Sequence, residues 1–432
     1  MTAREQERSA EAATEVAPAR KPALIRLRDG AVRVLEAMPV TTVRTAPVAA
    51  GTIGRVLVLW GAARAINLMI MWSWYQISKA YGWGFGPNRE HVTTFLNFLS
   101  DWDGARYGRI AQVGYPTWLP MDPSGVVQPS DWAFMPIYPA LERGLSEVLG
   151  IPWQAAGVAI SILASAGATV MLYLLLRKVT SARASWWGTV MFSIGPLSFV
   201  FVLAYAESLV LFLTFACLYL AVVRKYWWIA PIGVVASFVR PGLLAVALGL
   251  GILFLVRWVR REQDPFSIRE RWGIIVSGAT IGIAGLAWSQ IATLVTGTRD
   301  AYVRTETAWW IPFIGEGHFV PLTPWFRLAG TWLGIGGIIL VLTIAGFFIA
   351  WMRSKQIRAL GIEVWAYTAS YLLYLFAVFL PQQSTFRLLM PVAPLLADDR
   401  LSSTPRRQRW VVVVCLVLQV VAVLLLWTIG WP

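Results

Sequence analysis

Apolar residues run on for about 20 positions at a time along most of this chain, with neither the alternation of a half-buried strand nor one narrow helical stripe. A helix of that length crosses a hydrocarbon core of roughly 30 Å. Backbone in lipid must satisfy its own hydrogen bonds, so such runs read as helices. The pattern predicts spans near 56–77, 153–176, 185–203, 205–223, 227–239, 241–256, 272–296, 329–351, 363–381, 386–398 and 410–430. Three of these, 227–239, 241–256 and 386–398, are short and lie beside Pro241, Pro391 or Pro394. A proline removes a backbone donor and breaks a helix, which predicts half-helices or re-entrant pieces among neighbours. The expected fold is all-α, a polytopic integral membrane protein of about 9–11 transmembrane helices.

The polar positions between the runs set the expected topology. Loops holding Arg177, Lys178, Arg183, Arg224, Lys225, Arg260, Arg261, Lys355, Arg358, Arg406 and Arg407 alternate with longer loops of lower basic density. The excess of Lys and Arg marks the cytoplasmic side. Residues 1–54, rich in Ala, Glu and Arg, hold no spanning run and read as a cytoplasmic, largely disordered tail. Within it, 23–38 spaces Leu24, Leu27, Val34 and Leu35 as a short amphipathic helix would, a pattern suited to an anionic leaflet. The transmembrane domain is 55–432, and its long loops, 78–152 and 297–328, are expected outside. The first apolar run starts too far in for a cleavable signal peptide.

Composition agrees with the pattern. The chain is 57% hydrophobic and 14% charged, too little polar surface for a soluble protein of 432 residues. Its 24 tryptophans suit anchoring at the membrane–water interface. The formal charge of +14 would suggest nucleic acid in a soluble protein; here it is explained by basic cytoplasmic loops, and no nucleic-acid partner is expected. Cys217 and Cys415 lie inside apolar runs and read as packing residues. With His91 and His318 the only histidines, a zinc site is not expected.

Chemistry concentrates in the first long loop. The stretch SDWDGARYGRIAQVGYPTW, residues 100–118, places Asp101 and Asp103 around Trp102, followed by Arg106, Tyr107 and Arg109. Trp102, Tyr107, Ile110 and Val113 have the spacing of an amphipathic helix with Asp103 near its start, where the helix dipole favours a carboxylate. Capping of that helix by Asp101 or Asp103 is the structural alternative. A carboxylate just above a bilayer can instead act as general base on a hydroxyl. Arginines can hold a phosphate through their planar fork, and aromatic faces such as Trp102 can stack on sugar rings. Glu207, Arg240 and Arg387 are the ionisable residues nearest the apolar helices on the same expected outer face, and Glu207 can equally pair with an arginine there. An Asp pair alone leaves Mg²⁺ or Mn²⁺ dependence open.

The segments WDGARYGRIAQVGYP and WAFMPIYPALERGL resemble the first-loop pattern of the PIG-V mannosyltransferase family, through Trp102, Asp103, Tyr107, Ile110, Ala111, Gly114, Tyr115, Phe134, Pro136, Tyr138 and Pro139. AYAESLVLFL, SFVRPGLL and FRLLMPVAPLL resemble three shorter family elements, centred on Tyr205–Glu207–Ser208, Arg240–Pro241 and Arg387–Pro391. Met135 and Ile137 depart from the pattern, and 1–54 has no counterpart.

The resemblance implies a bacterial member of a family of GT-C-type integral membrane glycosyltransferases. These take sugar from a polyprenyl-phosphate donor and need an acidic residue in the first outer loop. It therefore implies Asp103, with Asp101 beside it, as the catalytic carboxylate, and a glycolipid, lipoglycan or protein as acceptor. Arg240, Arg387, Arg106 and Arg109 are then candidate phosphate ligands. Trp102, Tyr107, Tyr115, Tyr138, Glu207 and His318 are candidate substrate contacts. An outward site needs a lipid-carried donor, since nucleotide sugars are cytoplasmic; the chain carries no dinucleotide-binding fingerprint. The competing classes are a transporter or flippase of a lipid-linked sugar, which would be expected to show internal repeats and midplane charges, and a non-catalytic membrane partner subunit.

Overall fold

A computed structural model describes residues 23–45, 50–84 and 94–430. His91 and residues 1–22 lie outside the described residues. Among those described, the chain is helical, with a single isolated antiparallel bridge, Met121 to Val127, in place of any sheet. The main helices are α1 (Ala23–Glu36), α2 (Ala50–Ala80), α3 (Phe95–Leu99), α4 (Asp103–Val113), α5 (Ile137–Leu149), α6 (Trp153–Val179), α7 (Ala182–Ile194), α8 (Glu207–Val222), α9 (Ile229–Ser237), α10 (Leu244–Val259), α11 (Ile268–Thr296), α12 (Ala301–Ala308), α13 (Pro324–Met352), α14 (Ile362–Val378) and α15 (Pro405–Val423).

Among the described residues five helices are long and apolar enough to cross a membrane: α2 from Gly51, α6, α11, α13 and the segment Pro405–Thr428. Shorter apolar helices at 207–222, 226–237, 244–259 and 362–378 fill the space between them. This is the expected all-α, multi-pass membrane architecture. Two expected spans are broken. The 185–203 run divides at Gly195 and Pro196 into α7 and a 3₁₀ turn, Ser198–Val202. The 386–398 run becomes one helical turn and a 3₁₀ helix, Met390–Ala397, because Pro391 and Pro394 cannot donate to an α ladder. Helix α13 is interrupted at Gly334, whose φ of 55° only glycine adopts freely.

Packing follows from what lipid can and cannot do. Lipid supplies no hydrophobic drive between helices, so close approach must come from small residues. Gly249 of α10 lies against the backbone of Ala366 and Tyr367 on α14, and Gly233 of α9 lies against Ile281 of α11. Three buried hydroxyls are satisfied within their own helices: Thr169 donates to the Ser165 carbonyl, Thr189 to Ser185 and Ser237 to Gly233. Large apolar side chains left exposed, such as Leu294, Ile283, Ile335 and Val58, face outward, as a lipid-bathed surface requires.

The two ends of the bundle differ. At one end, the described part of the tail forms α1, where the sequence spaces Leu24, Leu27, Val34 and Leu35 as a helix would. Leu35 and Met38 pack on the core, and the chain beyond α1 runs as a strap beneath the helices. The Arg260 guanidinium donates to the carbonyls of Glu36, Met38 and Pro39, and Arg358 donates to that of Ala37. The Thr41 hydroxyl donates to the Glu363 carboxylate and accepts from Ile362 N–H. These arginines offer several donors at once, and the extended strap offers carbonyls that no helix uses. At the other end, the first and second long loops fold over the helix ends and build one polar site.

Candidate active site

The site begins where α4 meets the chain before α8. Ala204 N–H donates to the Leu99 carbonyl at 2.9 Å, and a side chain at Gly104 would begin only 3.2–3.6 Å from Ala204 and Tyr205. One turn on, a side chain at Gly108 would overlap the Trp153 ring. Gly104 and Gly108 thus present a smooth face, letting α4 lie directly on α6 and on 204–205. Tyr107 and Ile110 are buried, while Val113 is 76% exposed, so the amphipathic expectation holds for the first two. Tyr107 packs edge-on against Phe134 and tilts against Tyr138, at 5.1 and 4.9 Å between ring centres. Such pairs contribute about 0.5–1.5 kcal/mol each beyond area burial. Burial pushes the Tyr107 and Tyr115 hydroxyls well above the usual phenol range, so both are donors at any physiological pH.

Neither aspartate caps α4 with its side chain. Trp102 occupies the cap position at φ 55°, ψ −117°, a backbone state costing of order 1–3 kcal/mol for a bulky residue. Asp101 accepts from the Trp102 N–H at 2.7 Å. Asp103 opens the helix, its N–H donating to the Tyr205 hydroxyl at 3.2 Å and its carboxylate turned away from the backbone.

That carboxylate joins a chain of charge. Asp103 Oδ2 is 2.6 Å from Arg387 Nη2; Arg387 Nη1 is 3.0 Å from Glu207 Oε1; Arg240 Nη1 is 2.6 Å from the same oxygen. Glu207 is the first residue of α8, where the dipole favours its charge. The Arg387 guanidinium lies over the Tyr205 ring at 5.3 Å. Asp103 keeps 25% of its side chain exposed, against 10% for Arg387 and 5% for Glu207, so it is the reachable member. Arg387 Nε, Glu207 Oε2 and the Trp102 indole N–H are buried without hydrogen-bond partners. Orphaned groups of this kind are costly unless a ligand or water meets them. Beside the chain lies a small, partly open crevice of about 30 Å³, lined by Glu207, Arg240 and Arg387 together with Leu211, Val246 and Tyr371.

The other expected site residues are placed as follows. Arg106 and Arg109 converge on Asp131, Arg106 at 3.4 Å and Arg109 through a two-pronged contact whose longer arm is 2.7 Å. They are committed to that carboxylate at the rim, not to the Arg240–Arg387 cluster. Tyr138 donates to the Gly157 carbonyl and meets Ser161, and Tyr115 donates to the Phe134 carbonyl; both bind the loop together. His318 is exposed, its carbonyl accepting from Arg327. Asp101 accepts from a neighbouring amide, and Asp103 is bound by a guanidinium. Among the described residues no three metal-ligating side chains gather.

Three carboxylates of this face did not stand out in the sequence. Asp131 clamps the rim. Glu142 of α5 is fully buried, both carboxyl oxygens unpartnered, and burial pushes it up to about 9. Glu306 of α12 is half-buried, hydrogen-bonded to Tyr302 and within electrostatic reach of Arg240 and Asp103. The one available signal was spacing: Tyr302, Glu306 and Trp309 share one helix face in a loop otherwise read as interface anchors.

No protein-family model and no curated protein sequence matches the chain. Among solved structures it is similar to ArnT from Cupriavidus metallidurans, crystallised bound to undecaprenyl phosphate. The identity is 11% and the TM-score 0.48, over 83% of this chain and 62% of that one, so this chain spans less than two thirds of that protein's length.

Proposed function

We propose that this chain is a GT-C-type glycosyltransferase of the plasma membrane. It moves a hexose, mannose by the PIG-V-like motifs, from a polyprenyl-phosphate donor to an extracytoplasmic acceptor, with its N-terminus in the cytoplasm. The observation that carries the reading is the chain Asp103–Arg387–Glu207–Arg240 beside a small crevice. A lipid-linked sugar phosphate needs cations for the phosphodiester and a reachable carboxylate for the incoming hydroxyl, placed at the ends of apolar helices along which a lipid tail can lie.

The geometry suggests an order of events. The donor phosphodiester settles against Arg387 and Arg240 and competes with Asp103 for Arg387. Asp103, released from its partner, takes the proton of the acceptor hydroxyl. The hydroxyl oxygen bonds to the anomeric carbon as the bond from that carbon to the phosphate oxygen breaks. Polyprenyl phosphate leaves, and its growing charge is met by the two guanidiniums. Attack opposite the leaving group inverts the anomeric centre. Arg106 and Arg109, held by Asp131, keep the rim in place.

The test is Asp103→Asn in purified protein, which keeps the shape and removes the base. Transfer should fall by about 10²–10⁴ with expression and thermal stability retained. Asp101→Asn, whose carboxylate accepts from the neighbouring Trp102 amide, serves as the control and should lose far less. Wild-type turnover by Asp103→Asn would contradict the assignment. A transporter of the lipid-linked sugar would instead move the donor across a bilayer without consuming it.

A further inference from the structure

The second long loop brings a carboxylate to the site from the side opposite Asp103. Helix α12 is seated by contacts that leave it little freedom. The Thr305 hydroxyl, fully buried, meets that of Ser130 at 3.1 Å; Ala301 packs with Trp132, Trp288 and Leu119; and Trp309 lies 5.5 Å from the Arg106 guanidinium. Trp288 donates to the Trp132 carbonyl at 3.0 Å, tying the rim of the first loop to the helix that leads into the second. With α12 so placed, Glu306 and Tyr302, one turn apart, face inward. The groups around the Glu306 carboxyl are Tyr302 on its own helix, Arg240 after α9, Asp103 on α4 and Tyr374 on α14. At the rim are Asp131, Arg106 and Arg109.

We propose that Glu306, with Tyr302, is the acceptor-side carboxylate of this site. It takes hydrogen bonds from the hydroxyls of an uncharged, hydroxyl-rich acceptor and turns anionic acceptors away. The assignment rests on the transferase reading above and adds a residue and a selectivity to it. Three features carry it. Glu306 is the carboxylate of the cluster with no guanidinium in direct contact, whereas Asp103 and Glu207 meet Arg387 and Asp131 meets Arg106 and Arg109. A carboxylate beside a phenol offers what a sugar needs: acceptors for its hydroxyls and a flat apolar face for its ring carbons. Arg106, Arg109, Arg240 and Arg387 each already meet a carboxylate, so an anion arriving beside the donor phosphodiester would have to displace one. Burial pushes the Glu306 carboxyl up to about 7, so it also exchanges its proton under working conditions.

The experiment uses the full chain in lipid nanodiscs, with methyl α-D-mannoside as the neutral probe and mannose 6-phosphate as the anionic one. Infrared difference spectra should show a carboxyl band that titrates near pH 7 and is missing in Glu306→Gln. Methyl mannoside should shift that band and mannose 6-phosphate should not. In transfer assays Glu306→Gln should raise the acceptor KM about 10–100-fold, as loss of a hydrogen bond to a charged group does. The donor KM should stay unchanged, rejection of mannose 6-phosphate should weaken, and Glu306→Asp should recover part of the loss. A band indifferent to methyl mannoside, or an unchanged acceptor KM in Glu306→Gln, overturns the assignment. A chain that binds methyl mannoside at Glu306 yet never releases hexose from the donor upholds the binding role and overturns the transferase reading.

Discussion

Replacing Glu142 by glutamine tests the packing beneath the site through its pH dependence. Glu142 has no exposed surface, and both carboxyl oxygens lack partners on a helix face that meets Gly157, where an added Cβ would overlap Oε1. Burial without a cation favours the neutral acid, and its pKa rises from 4.5 to about 9. In the unfolded chain the group ionises above its ordinary value, while the folded chain keeps the proton until about pH 9. Between those limits the folded state binds more protons, so stability falls as pH rises. At about 1.4 kcal/mol per unit, the cost reaches about 3 kcal/mol at pH 7. Glutamine has nearly the same shape and does not titrate. In thermal unfolding of detergent-solubilised protein, Glu142→Gln should match wild type near pH 5 and become progressively more stable from pH 6 to 9. Parallel pH profiles for the two proteins would refute the reasoning, since they would mean that the carboxylate is charged and partnered at neutral pH.

Further outcomes follow from the same geometry. Gly108→Ala should destabilise the first loop by about 1–3 kcal/mol through overlap with Trp153, seen as faster hydrogen exchange over 103–113, and Trp153→Leu should restore protection. Arg240→Lys and Arg387→Lys should raise the donor KM, because lysine lacks the two-pronged fork, whereas Arg109→Lys should leave it unchanged if that arginine only clamps Asp131; saturation curves with polyprenyl-phosphate mannose decide. A cysteine at Ser124 should label from outside intact cells and one at Lys355 only after permeabilisation; the reverse would invert the topology.

Much of this was legible in the chain because lipid enforces simple rules. Apolar runs announced the long helices, and the prolines at 391 and 394 announced the broken one. Glu207, Arg240 and Arg387 stood out as candidates because ionisable residues at the ends of apolar runs are few, and Asp103 because it lies in the acidic, aromatic segment of the first loop. Their arrangement did not: Glu207 and Arg387 are 180 positions apart and meet through tertiary packing alone. Asp131 and Glu306 escaped notice because one sits in an irregular stretch and the other in a helix of 8 residues, neither long enough for periodicity to speak. The contacts of the strap at 37–45 were not legible, because they are made by Arg260, Arg358 and Glu363, far away in the chain.

The most direct test of the central claim is to follow the label. Purified chain in nanodiscs, given polyprenyl-phosphate mannose labelled in the sugar together with a hydroxyl-bearing acceptor, should place the label on the acceptor with inverted configuration. It should release an equal amount of polyprenyl phosphate, and Asp103→Asn should do neither. Label that stays on the lipid, or transfer only from a nucleotide sugar, would contradict the account.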